Sequence, residues 1–337
     1  AIEPLRAFRI GLRRADTLAE LTDYCLDYLV EQKLSNGGAV LPVFIGVLRE
    51  RYELDNELRN ELDTLYLEVH AAMGQSTTRL PPPPHQAANL FDMLLKLDFR
   101  QQVRMAQQVI QEHPVAAFLV QGNNGFGQQV LVNRLLRLSP GWQTAQQVSV
   151  NLSSPALGKD VRCLWRQMAL KLGLTHRATR VEITQRVCQA LETQDVIFVF
   201  HTVDYMPPGF LPEWIEEFWY PLMQAAQNNT YRAQRPTRLI MFLVDYSGCV
   251  CTWEVPLAQR PEPPDYPHRP LSLPPAEAMP EDVIDIWIDM AADILPAGLT
   301  GQTVLELSEN GIPQFVYHAI CDHCGLSWEG DMIQWLI

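Results

Sequence analysis

A chain of 337 residues exceeds the ~100 to 200 of a usual single domain, so one large domain with a small companion is the default. Its hydrophobic fraction of 47% supports a sizeable core, and a formal net charge of -13 works against non-specific binding to nucleic acid or anionic membrane, which leaves protein partners. Seven scattered cysteines make no disulfide framework, no apolar run reaches the ~18 to 20 residues of a membrane span, and the opening Ala1-Ile-Glu-Pro-Leu-Arg6 lacks a signal-peptide core, so the expected location is cytoplasmic. Ala1 implies either a removed initiator Met or a segment of a longer chain, and both readings stay open.

Residues 1–74 read as a small helical domain. Thr17 and Glu20 have capping-box spacing ahead of Leu18, Leu21, Cys25, Tyr28 and Leu29; Gly37-Gly38 ends that segment. Pro42 fits a first helical position before Val43, Phe44, Val47 and Leu48, and a third helix carries Leu58, Leu62, Leu65 and Val69. Nothing here points to chemistry, so docking of other proteins, like or unlike, is the expected task. Residues 75–88, with Pro81 to Pro84, form a polar linker stiffened into polyproline II.

From Asn89 the large domain reads as α/β: short apolar strands alternate with helices, as in a doubly wound parallel sheet that binds ligands at the strand carboxyl ends. Asp98 and Gln101 have the spacing to cap a helix carrying Val103, Ala106, Val109 and Ile110. Val115 to Gln121 is then a continuously apolar strand that stops at Gly122-Asn123-Asn124-Gly125-Phe126-Gly127 and restarts as a helix at Gln128 and Gln129. Gly122 and Gly127 keep P-loop spacing, but Gln128 and Gln129 stand where a working loop has Lys and Ser or Thr. A neutral amide supplies neither the point charge for the phosphates nor the magnesium ligand.

Further strands are expected at Gln147 to Ser154, Asp195 to His201 and Arg238 to Asp245, with helices carrying Leu164, Trp165 and Met168, and another capped by Thr179 and Glu182. The third apolar strand ends in His201 where a magnesium-holding Asp belongs, and Asp204 falls past the strand end. No catalytic residue and no metal site is expected. The amides of Gly122, Asn123, Asn124, Gly125, Gly127, Gln128 and Gln129 still outline a weak anion site for nucleotide or phosphate. Trp214, Phe218, Trp219 and Tyr220 read as a core face, Glu254 to Pro280 as a long surface loop with a short edge strand at Arg269 to Leu273, and Val283, Ile286, Trp287 and Met290 as one face of a late helix. Cys321-Asp-His-Cys324 has half a zinc knuckle's spacing without a second pair, and reads as semi-buried thiols.

Leu94-Leu-Lys-Leu-Asp-Phe-Arg-Gln-Gln-Val103, Ala117 to Leu135 around the glycine loop, Phe200-His-Thr-Val-Asp-Tyr-Met206 and Glu216-Glu-Phe-Trp-Tyr-Pro-Leu222 together resemble the inactive STAND domain, over about residues 89–337. The resemblance implies a P-loop NTPase-like, STAND/AAA-type three-layer parallel sheet in which Gln replaces the Walker lysine as a family trait. It also implies bacterial conflict and defence systems, where such domains are joined through small helical effector-associated domains to caspase-like or trypsin-like proteases; residues 1–74 are similar in size and helical character to those adaptors. The expected function is thus a non-catalytic scaffold or sensor open to oligomerisation, the alternative a nucleotide switch with little or no hydrolysis.

Overall fold

The computed structural model describes residues 84–153, 161–230 and 237–336. The chain divides into two compact units, Ala1–Leu80 and Pro81–Ile337, and the helical readings within residues 1–74 lie outside the described residues. The larger unit opens with α1 (Pro84–Leu94) and α2 (Arg100–Glu112), then β1 (Val115–Gln121), α3 (Gln128–Leu136), β2 (Gln146–Asn151), α4 (Val161–Lys171), α5 (Arg180–Leu191) and β3 (Val196–His201). It continues with α6 (Phe210–Trp214), which runs through a π-helical turn at Ile215–Trp219 into α7 (Tyr220–Thr230), then β4 (Leu239–Asp245) and β5 (Leu271–Ser272). Three helices follow: α8 (Glu281–Met290), α9 (Gly301–Leu307) and α10 (Pro313–His323). Helix α1 starts inside the stretch read as a proline spacer.

All five strands pair parallel, in the order β2-β3-β4-β1-β5. Strands β1, β3 and β4 are buried along their whole length, which is why they read as unbroken apolar runs. Alternate residues serve opposite faces. Ala116, Phe118 and Val120 join the core under α1, α2, α3 and the C-terminal helices, while Val115, Ala117 and Leu119 join the core under α4, α5 and α7. The result is a three-layer sandwich with β4 at its centre, placing His201 two strands from the glycine loop, in register with Val244 and, through it, Val120.

Several local expectations hold for visible reasons. At α5, Glu182 N donates to Thr179 Oγ1 at 3.3 Å and Thr179 N to Glu182 Oε2 at 2.6 Å, the reciprocal capping box. Trp214, Phe218 and Trp219 are buried, with Trp214 stacked on Phe218 at 4.4 Å between centroids, whereas Tyr220 turns outward beside His268.

Three readings need correction. Asp98 does not cap α2: it and Phe99 both adopt left-handed backbone, φ 54° and 57°, and Phe99 takes the cap position with no side-chain bond. That turn drives Phe99 into the core, leaving the Asp98 carboxyl half-buried and its pKa raised by desolvation. The stretch from Glu254 to Pro280 carries the expected edge strand, at Leu271–Ser272 beside β1, but is no free surface loop, because Tyr266 is buried and Ala276 bridges to Gly122. On α8, Ile284 and Trp287 face inward, while Ile286 and Met290 are 44% and 57% exposed.

Candidate functional site

The glycine loop hangs from the end of β1, where Gln121 is tied to the neighbouring edge: its Nε2 donates to Ser272 Oγ at 2.9 Å and to Leu273 O at 3.0 Å. Asn123 and Asn124 form the exposed tip, Phe126 N donates to Asn123 O at 3.1 Å, and Gly127 sets the first turn of α3. The Gln128 side chain does not reach outward. Gln128 is 1% exposed, and its Nε2 donates to Asn123 O at 2.9 Å and to Asp245 O at 3.3 Å. The carboxamide thus fastens the loop to its own helix and to the end of β4. Gln129 is half-buried beside it.

The other side of the loop is met by the C-terminal helices. Gln314 N donates to Gly125 O at 2.9 Å. A methyl group built on Gly127 would lie 3.0 Å from Phe99 Cζ, 3.1 Å from Pro313 Cβ and 3.3 Å from Tyr317 Cε2, so α10 and Phe99 pack directly on the loop backbone. Tyr317 is fully buried, stacks on Trp328 at 4.9 Å, and burial raises its pKa. Arg134 of α3 donates from Nη1 to Asp98 O, linking the left-handed turn to the helix that follows the loop.

At the end of β3, His201 is 8% exposed, with Nδ1 3.0 Å from the Tyr246 hydroxyl. Burial pushes its pKa down to about 4 and pushes that of Tyr246 upward. A buried neutral imidazole engaged by a phenol is a poor partner for magnesium, which prefers hard oxygen ligands. Asp204 lies in the 3-10 turn Val203–Tyr205, past the strand end, where Oδ1 accepts from Tyr246 N at 3.3 Å. Between the two strands just described stands a carboxylate that pattern reading passed over. Asp245 is fully buried, its Oδ1 accepting from Ser247 N at 2.9 Å and Gly248 N at 2.8 Å, and its Oδ2 from Val250 N at 2.8 Å. These bonds close the turn that rests against Gly122 and Asn123, with a Cβ at Gly248 falling 3.4 Å from each of Gly122 O and Asn123 Oδ1. The signal in the sequence was Asp followed two and three residues on by Ser-Gly, a side-chain-capped turn.

His201 gives a pH dependence. Its folded pKa lies below the ordinary 6.5, so the unfolded chain takes up the proton first; the stability contribution is complete above about pH 6.5 and is lost as pH falls toward 4. Between pH 7.5 and pH 5 this one group should cost about 2 kcal/mol. Urea unfolding at the two pH values should show a shallower loss in His201→Gln than in the native chain, and equal losses would contradict the assignment.

The Cys321 and Cys324 thiols do not assemble a metal site. Burial pushes the Cys321 thiol well up and that of Cys324 to about 11, while His318 Nε2 pairs with Glu329 Oε1 at 2.8 Å. Among the described residues no cluster of His, Cys, Asp and Glu could hold a metal ion, and no helix is long and apolar enough to cross a membrane.

Comparison with known proteins agrees with this architecture. Residues 94–244 match the family model described as inactive STAND, and residues 1–72 match that described as Bacterial Death-like domain 1. No curated protein matches the chain. Similar solved structures include Cdc6p from Pyrobaculum aerophilum, at 16% identity and TM-score 0.44 over 73% of this chain and 62% of that one. Another is the ORC1 protein of Aeropyrum pernix in complex with DNA, at 14% identity and TM-score 0.37 over 70% and 58%. A Walker-type ATPase of Pyrococcus abyssi has 9% identity and TM-score 0.38 over 66% and 67%. The chain thus spans about three fifths of the length of the first two. The fold is α/β, a five-stranded parallel sheet between layers of helices.

Proposed function

We propose that this chain, an inactive STAND core joined to a Bacterial Death-like domain, is a non-catalytic scaffold or sensor in a bacterial defence or signalling system, working in the cytoplasm. In this reading residues 1–74 recruit the effector protein, a caspase-like or trypsin-like protease, and the large unit supplies the platform that responds. The observation that carries it is the fate of Gln128, whose amide is taken up by Asn123 O and Asp245 O inside the loop instead of being presented to a phosphate. Three further facts support it: Gln129 replaces the magnesium-binding hydroxyl, His201 is buried and neutral, and Asp245 is used up by backbone amides. A triphosphate entering this loop would find no cation at Gln128 and no magnesium ligand at Gln129 or His201, and phosphoryl transfer rests almost wholly on such groups.

The competing reading is a switch that binds nucleotide without turning it over, favoured by the exposed loop tip at Asn123 and Asn124 ahead of the α3 N-terminus. Residues Gly122, Asn123, Asn124, Gly125, Gly127, Gln128 and Gln129 would then be its contact set. Hydrolysis tests the scaffold reading from the other side. Gln128→Lys restores the missing charge but none of the magnesium ligands, so phosphate release from ATP or GTP should stay at background; measurable turnover in that variant would remove the non-catalytic reading.

A further inference from the structure

The net charge is unevenly placed: residues 270–337 hold eleven of the chain's 39 acidic residues and none of its 26 Lys and Arg, so all but two of the thirteen excess negative charges fall there. Helix α8 shows how that charge is arranged. Ile284 and Trp287 anchor it to the core, and on the opposite side Asp282, Ile286, Asp289 and Met290 recur at helical spacing as one exposed stripe, with Asp293 in the turn beyond. Two large apolar side chains, 44% and 57% exposed one turn apart, are thus bracketed by carboxylates that no ion pair engages among the described residues. Asp282 lies in the first turn, where the helix dipole favours an acid, but folding does not explain the rest of the stripe. Asp289 sits in the last turn of α8, where the helix dipole disfavours an acid, and no basic residue offsets it.

We propose that the outer face of α8 docks a basic amphipathic helix of a partner protein, with Ile286 and Met290 meeting its apolar stripe and Asp282, Asp289 and Asp293 pairing with its flanking Lys and Arg. Charge complementarity selects this occupant. A second copy would oppose acid to acid, and an anionic membrane or nucleic acid would be repelled. The surface is separate from the recruitment assigned above to residues 1–74, and its test does not depend on that assignment.

The full chain is titrated against a fluorescent Leu/Lys amphipathic helix of ~18 residues, about five turns, and against the same peptide with Glu for Lys, by anisotropy. Binding of the Lys peptide alone is expected, weakening about tenfold or more in Ile286→Ser with Met290→Ser. Asp289→Asn with Asp293→Asn should also weaken it and flatten its salt dependence. The same charge change at exposed Glu213→Gln with Glu216→Gln should leave affinity unaltered. All these sites are exposed, so each variant should keep the native melting temperature. Equal binding of the Glu peptide, no binding of the Lys peptide, equal loss in the Glu213 and Glu216 variant, or dimerisation abolished by the Ile286 and Met290 changes would each overturn the proposal.

Discussion

Replacing Gly311 by Ala should destabilise the large unit by about 4 kcal/mol or more, at the severe end for a single methyl group. Gly311 has φ +89°, and a Cβ there would lie 2.1 Å from the carbonyl oxygen of Met279, a backbone atom with nowhere to go. The same carbonyl region is held in place because Met279 N donates to Gly311 O at 2.7 Å, so relieving the clash also breaks that bond. Gly298 supplies the internal control. Its φ is +98° but nothing lies within 4 Å of its Cβ position, so Gly298→Ala should cost only the left-handed backbone strain, about 1 kcal/mol. For a unit of this size the Gly311 change should lower the melting temperature by roughly 10 °C and the Gly298 change by a few degrees. Because Gly311 leads through Ile312 into Pro313 and Gln314, which pack on Gly127 and Gly125, the first variant should also loosen the cover over the glycine loop. Similar melting temperatures for the two variants would show that α10 is not fixed by this crossing.

If residues 1–74 recruit a caspase-like or trypsin-like effector, as proposed, removing them should abolish its capture altogether while leaving the large unit cooperatively folded. The reason is separability. The chain splits into compact units at Leu80, and both described cores of the larger one are built from Ala87 onward. Pull-down of the protease by the native and shortened chains, with urea unfolding of each, checks both halves of the statement. Capture that survives the deletion would take recruitment away from residues 1–74, and loss of cooperative unfolding would show that the units depend on each other.

How much of this was legible beforehand follows from the range of the interactions involved. Strands β1, β3 and β4 were readable because burial on both faces leaves an unbroken apolar run, and the Thr179 cap was readable because all its partners lie within four residues. That Gln128 and Gln129 offer neither a cation nor a hydroxyl, and that His201 is no carboxylate, was likewise a matter of position along the chain. What could not be read was the answer to where those side chains went. Gln128 finds Asp245 on a strand far along the sequence, and Gly127 meets both Phe99, ahead of it in the chain, and Pro313, far beyond it. Local patterns also misled where tertiary packing won. Asp98 had capping spacing, but burying Phe99 required a left-handed turn, and the apolar positions of α8 divide between an inner pair and an outer pair that no periodicity rule separates.

The glycine loop is tied down by the chain's own atoms, Gln128 Nε2 on one end and Gln314 N on Gly125 O. Isothermal titration of the intact protein with ATP, ADP, GTP and GDP, each with and without magnesium, should therefore give no saturable heat tighter than a Kd of about 1 mM for any of them. Micromolar binding that strengthens with magnesium and is lost on replacing Gly125 or Gln128 would contradict it.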